Sequence, residues 1–349
     1  MSQKNETISL LLALVITIGI IGGVSWWIFG KLGVGEQNPP SGTQQNNSPE
    51  SARSQPPKTF AEVQGVPSGL FSYGGSTTWA PIRKEVDAVI ESVFPEFRLR
   101  YTDPTIGAPG SGSGIKMLLN NQLAFSQSSR PLKQEEYQQA SERGFTLKEI
   151  PVAFDAIAVA IHPNLNLSGI TVAQLKDIYT GKITNWNQVG GPNLAIVPYS
   201  RRIEEGGTIE FFVENVLEGE NFGENVEFIP TTTQALRKIS ETPGSIYYAS
   251  APEVVPQCTV KSLPLGQKSG EWVAPYQEPL IDLSQCPQQR NQLNQTAFQK
   301  GEYPITRRLF VIVKQNGQAD EQAGVAYANL LLTRQGQDLI TKTGFVSIR

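Results

Sequence analysis

The sequence predicts an α/β fold built on an open sheet, held behind an apolar segment and a polar tether. Three observations lead there. From about residue 69, strand-like runs alternate with helix-like runs. Turns rich in Gly, Ser and Thr open three of the helices. The first sixty or so residues differ in composition from everything after them. Alternating strands and helices imply a sheet whose C-terminal loops carry a ligand.

The apolar segment is Ile8 to Gly30, 23 residues without a charge. At about 1.5 Å per residue it spans roughly 35 Å, enough to cross a bilayer core. Trp26 and Trp27 stand at one end, where an interfacial aromatic belt falls. The segment reads as an uncleaved transmembrane anchor. A signal peptide is the alternative, although the run exceeds a signal core and no small-x-small cleavage site follows it. Residues 31–60 then turn to Pro, Gln, Asn, Ser and Gly. Such a composition cannot bury enough surface to offset its ordering entropy, so a disordered linker is expected. As a flexible coil it would reach roughly 30 Å.

The folded part begins near Phe60. Gly69 to Tyr73 is strand-like, and Pro81 stands just inside the helix that follows, where its missing N–H costs nothing. Ile82, Val86, Val89, Ile90 and Val93 fall on one face of that helix. Phe97 to Tyr101 alternates as a strand, and Leu123 to Pro131 holds another that ends in hydroxyls and a cation. Gln134 to Arg143 reads as a polar surface helix. Ile150 to Ile161 is the most continuous buried-strand signal after the apolar segment. Thr171 caps a helix ending at Tyr179. Leu194 to Tyr199 is a strand closed by Ser200-Arg201-Arg202. Ile209, Phe212, Val213, Val216 and Leu217 then share a helical face. Thr231 to Glu241 follows as a helix and Ser245 to Ala249 as a strand. Ile305 to Lys314 is a late strand, and Gln322 to Thr333 a helix that returns the chain to the first half.

A net charge of −3 and a pI near 5.5 provide no basic field, which argues against nucleic acid as a partner. One His and two Cys leave no imidazole- or thiolate-based metal site, and no cofactor is expected. Cys258 and Cys286 lie 28 positions apart. Outside the cytoplasm they would form a disulfide worth about 3–4 kcal/mol; inside it, two free thiols. The bridge is the expectation.

Three turns carry the chemistry: Gly74-Gly75-Ser76-Thr77-Thr78, Gly110-Ser111-Gly112-Ser113-Gly114, and Gly206-Gly207-Thr208. Each opens a helix, so each offers unpaired backbone N–H groups, hydroxyls and the positive end of a dipole. That suits an oxyanion. Catalysis is not expected, because the Gly/Ser run forms neither G-x-S-x-G nor a Walker A loop, and no acid/base pair accompanies it.

Together with Phe125 to Leu132, Leu175 to Trp186, Arg202 to Thr208, Gly244 to Tyr248 and Tyr303 to Ile305, these turns resemble one family. It is the periplasmic phosphate-binding proteins of ABC phosphate uptake systems, of the type II solute-binding fold, and the likeness runs from about residue 65 to 349. The resemblance implies an α/β fold of two lobes, 61–158 with 305–349 and 159–304, closing around a dehydrated phosphate. It implies ligand groups from Ser76 and Thr77 at the first helix start, Ser111 or Ser113 at the second, and Ser129 in the third motif. Arg202, Gly206, Gly207 and Thr208 would close from the second lobe. Read from the residues alone, Arg202 could equally be half of a solvated surface pair. Arg130 either reaches the anion or pairs with a neighbouring carboxylate.

Two departures stand out. The usual Gly-Ser-Gly-Thr is Glu205-Gly206-Gly207-Thr208, which removes a hydroxyl and keeps the N–H. Where some members have a carboxylate this chain has Ser129, which can accept as well as donate but would not repel a fully ionised anion such as sulfate. Asp103 and Asp155 could stand in, but they read as turn and strand-end residues. The expected function is extracytoplasmic, membrane-tethered capture of inorganic phosphate for the permease of an ABC importer. The alternative is an anchored oxyanion sensor or interaction module that keeps the fold without transport.

Overall fold

The computed structural model describes residues 57–203 and 206–348. The predicted anchor at 8–30, nearly all of the linker at 31–60, and Glu204 and Glu205 lie outside those residues. Among the described residues no helix is long and apolar enough to cross a membrane.

Strands β1 (Gly69–Gly75) and β2 (Phe97–Tyr101) flank α1 (Ala80–Val93), which carries Pro81 in its first turn and buries Ile82, Val86 and Ile90. Then come α2 (Ser111–Leu119), β3 (Phe125–Ser128) and α3 (Gln134–Glu142). β4 (Thr146–Ile161) starts earlier than its apolar run suggests, because its polar first residues pair with a late strand. β5 (Ile170–Thr171) precedes α4 (Val172–Tyr179), where Thr171 Oγ1 accepts the Gln174 N–H at 3.0 Å as the cap. Next are β6 (Val197–Ser200), α5 (Gly207–Asn215) and β7 (Glu227–Phe228). α6 (Thr232–Glu241), capped by Thr231, leads to β8 (Ser245–Ser250) and the short α7 (Ala251–Val254). β9 (Lys261–Leu263), β10 (Leu265–Gly266) and α8 (Gln295–Lys300) follow. The chain ends through β11 (Thr306–Gln315), α9 (Ala319–Leu331), α10 (Arg334–Lys342) and β12 (Val346–Ser347). Cys258 and Cys286 are joined as a disulfide with a Cα–Cα distance of 5.7 Å.

The main sheet has the order β2-β1-β3-β11-β4-β8-β6-β7, with β9 and β12 also on β4. β1 runs parallel to β2 and β3, and β6 parallel to β7 and β8. Between these sets, β11 is antiparallel to β3 and β4, and β4 is antiparallel to β8. The two parallel sets therefore point at each other. Ser128, the end of β3, is level with Phe310, which pairs with Pro151; Ser250, the end of β8, is level with Ile157. The C-terminal ends of both sets meet over residues 151–157 of β4. That is where an open α/β sheet places its ligand.

Buried side chains cluster accordingly. One core holds Phe71, Trp79, Phe97, Val152, Ala153, Leu309 and Tyr327. Another holds Ala156 to Ile161, Tyr179, Trp186, Phe212, Tyr248 and Ile305. β4 passes between them from Ala153 to Ala156, and the chain returns between Ile305 and Leu309.

Candidate functional site

At the meeting point the first-core side presents three serines. Ser76 follows β1, Ser111 begins α2, and Ser129 follows β3; all are fully buried. Ser76 Oγ donates to Ser129 Oγ at 3.0 Å, and the Ser129 N–H donates to Ser111 Oγ at 3.0 Å. The hydroxyls of Ser111 and Ser129 lie 3.2 Å apart. Glycine makes this crowding feasible: a Cβ on Gly114 would stand 2.4 Å from the Cα of Gly75, so only glycines let the start of α2 press against the end of β1. Arg83 anchors the Ser76 turn by donating to Ser76 O at 3.1 Å and Gln127 Oε1 at 2.8 Å.

The start of α5 comes from the other side. A Cβ on Gly207 would stand 2.5 Å from Ser111 Oγ and 2.7 Å from Ser129 Oγ, and one on Gly110 would be 3.4 Å from Gly206 Cα. Two helix N-termini and the turn before α1 thus converge on one small volume. Their first N–H groups have no acceptor within their own helices and aim a partial positive charge at it. Beside the serines, Thr78 and Thr208 hydroxyls lie 3.3 Å apart, and Arg307 Nη2 donates to both, at 3.2 and 2.8 Å. Arg307 also donates to Gly207 O at 3.2 Å and, through Nε and Nη2, to Asp155 Oδ2 at 2.9 and 2.8 Å. Asp155 takes a further hydrogen bond of 2.5 Å from Ser250 Oγ. The guanidinium and carboxylate are almost fully buried.

Of the residues singled out in the sequence, Ser76, Ser111, Ser129, Gly206, Gly207 and Thr208 gather here. Thr77 joins them, its Oγ1 3.5 Å from the position of a Cβ on Gly206. Ser113 does not. Its Oγ accepts the Gly110 N–H at 2.8 Å and donates to Gly110 O at 3.1 Å, so it caps α2. Of the pair offered as alternatives, Ser111 holds the position. Arg202 is also elsewhere: its guanidinium lies 5.1 Å over the Phe228 ring, beside Ile203 and Phe222. Arg201 faces the site instead, with Nη1 3.9 Å from a Cβ on Gly206 and Nε donating to Pro230 O at 3.2 Å. Successive residues of an extended segment point opposite ways, so one step of register exchanges the cleft for the outer surface.

Arg130 takes the carboxylate alternative. It donates to both oxygens of Glu136, at 3.0 and 2.8 Å, and to Glu210 Oε2 at 3.2 Å. Burial disfavours its charge, but Glu136 and then Glu210 raise its pKa above the ordinary value. Because Glu210 lies on α5, this contact ties the two sides, as does Lys133 to Glu214 at 2.6 Å. Asp155 lies within β4, not at its end, and is committed to Arg307. Arg307 escaped notice in the sequence, although it shares the phase of the buried Leu309, Val311 and Val313.

The profile of the PBP superfamily domain matches residues 43–335. The chain belongs to the PBP superfamily. Protein SphX of Synechococcus elongatus is 28% identical over 289 residues, covering 80% of this chain and 77% of SphX. The phosphate-binding protein PstS of Borreliella burgdorferi is 25% identical over 286 residues, covering 80% and 90%. Among solved structures, an ABC-type phosphate transport receptor from Vibrio cholerae superposes with a TM-score of 0.61 at 21% identity, covering 79% of this chain and 99% of the receptor. A protein described as a phosphate ABC transporter substrate-binding protein from Clostridium perfringens, crystallised with bound phosphate, gives 0.62 at 23%, covering 80% and 100%. At these identities the structural likeness is one of fold, and it is the mixed α/β type II binding-protein fold. This member of the superfamily presents a cleft of hydroxyls and helix starts.

Proposed function

We propose that this chain is an extracytoplasmic solute-binding protein that captures inorganic phosphate and passes it to the permease of an ABC importer, tethered to the membrane through residues 8–30 and the linker at 31–60. The observation that carries the reading is the convergence of Ser76, Ser111 and Ser129 on the glycine-led start of α5. Phosphate-binding names among its relatives support it. Neutral donors, helix starts and the Arg201 side of the cleft would replace the hydration shell of the anion. Residues 61–158 with 305–349 would form one lobe and 159–304 the other, closing by flexure of β4 and the 305–309 crossing. Calorimetric titration of the full chain with phosphate tests this. Saturable binding is expected, weakened about tenfold in Ser129→Ala from the loss of ~1.5 kcal/mol of hydrogen bonding to a charged group. No heat, and no rise in melting temperature with phosphate, would remove the reading.

A further inference from the structure

We propose that Arg307 is a positioning residue of the anion site: without touching the ligand, it sets the direction of the donors that Thr78 and Thr208 present from opposite sides of the cleft. This deepens the phosphate reading above and rests on it. Thr78 and Thr208 line the cleft, and Arg307 does not. Its guanidinium is 1% exposed, and each of its nitrogens has a protein acceptor. Asp155 Oδ2 takes Nε and Nη2, Gly207 O takes Nη1, and both threonine hydroxyls take Nη2. Any effect of Arg307 on an anion therefore passes through those acceptors.

A hydroxyl oxygen that accepts from a guanidinium turns its own proton away from it. Thr78 Oγ1 accepts at 3.2 Å and Thr208 Oγ1 at 2.8 Å, and the two lie 3.3 Å apart. If one donates to the other, the second proton is still left for an anion in the cleft that both line. The third acceptor is a carbonyl. Nη1 holds Gly207 O at 3.2 Å, and because the peptide is planar this also fixes the N–H of Thr208, which lies in the first turn of α5 and has no acceptor in its own helix. Asp155 keeps the fork in place: it grips the Nε–Nη2 edge, neutralises the buried charge and is itself held by Ser250 Oγ at 2.5 Å. A lysine would keep the charge, but a single ammonium does not reproduce a planar fork that reaches both threonines and the Gly207 carbonyl.

The experiment measures phosphate binding by calorimetry, together with melting temperature, in the full chain. It compares the parent, Arg307→Lys and the double variant Arg307→Met/Asp155→Leu, each with and without Thr208→Val. The double variant removes the pair without stranding a charge, so it is expected to keep most of the parent's stability. It is nevertheless expected to bind phosphate at least about tenfold more weakly, and Arg307→Lys at least about fivefold more weakly. Thr208→Val is expected to cost at least about tenfold in the parent but less than about threefold in either Arg307 background, where that hydroxyl is already misdirected. A residue needed only for folding would give neither result once stability is restored. Should the double variant fail to fold, Arg307→Lys carries the same contrast. Parent-like affinity in a folded Arg307 variant overturns the inference and leaves the anion reading standing. An equal cost of Thr208→Val in all backgrounds overturns the route through Thr208. If the parent itself binds no phosphate, the anion reading fails and takes the inference with it.

Discussion

Gly207→Ala tests the convergence on this site, because it adds a single methyl group where the two sides meet. The new Cβ would stand 2.5 Å from Ser111 Oγ and 2.7 Å from Ser129 Oγ, well inside van der Waals contact. Relief by rotating Ser111 surrenders the 3.0 Å hydrogen bond from the buried Ser129 N–H, which costs about 1–3 kcal/mol for the group left unpaired. Relief by backing α5 away costs a similar 1–3 kcal/mol of strained packing. Either route falls on the arrangement in which the start of α5 packs against both serines. Phosphate affinity is therefore expected to fall about ten- to a hundredfold in calorimetry, and the melting temperature of the unliganded chain to fall with it. Gly112→Ala is the control. Its Cβ would stand 3.2 Å from Glu210 Oε1 and 3.5 Å from Arg130 Nη2, the ends of two long side chains that need give only a few tenths of an ångström, and its affinity should move by less than about threefold. Parent-like affinity in Gly207→Ala would refute the convergence on which the site is built.

Arg307→Met leaves the Asp155 carboxylate buried without its guanidinium, and unfolding in urea is expected to show a loss of about 3–5 kcal/mol. Removing both charges in Arg307→Met/Asp155→Leu should recover much of that loss; a double variant as unstable as the single one would contradict the pairing argument. A pH effect is expected from Asp87 on α1, which accepts from the hydroxyls of Tyr73 and Tyr327 and whose carboxyl burial pushes from 3.8 up to about 6. The folded state then holds a proton that the unfolded state releases, so this contribution is full below about pH 4 and lost as pH rises through about 6. At roughly 1.4 kcal/mol per unit the swing is about 3 kcal/mol, and Asp87→Asn should flatten that part of the stability–pH curve. An unchanged curve in the variant would assign the titration elsewhere.

What the sequence made legible, and what it hid, follows from the range of each interaction. The starts of α2 and α5 could be read because their requirements are local: glycine where backbones nearly touch, small hydroxyls where N–H groups lack acceptors. The resemblance offers Ser113 as a ligand group instead of the cap it is, although a serine three residues after the cap position is the local signal that could have found that role. Arg201 and Arg202 differ only in the phase of a short extended segment, and nothing in those two residues says which one faces inward. The Arg307–Asp155 pair is hidden for another reason. Each residue lies on the buried phase of its strand, which sequence shows, but they meet only because β11 and β4 pair in a register that sets Arg307 opposite Asp155. The dependence runs both ways. A slip of one position would turn Arg307 to the face where Arg308 is exposed and leave Asp155 without its partner among Ala153 and Ile157. So costly an alternative means the ion pair specifies the register where the chain crosses between its two cores. That register in turn places Arg307 under Thr78 and Thr208, one threonine from each side of the cleft.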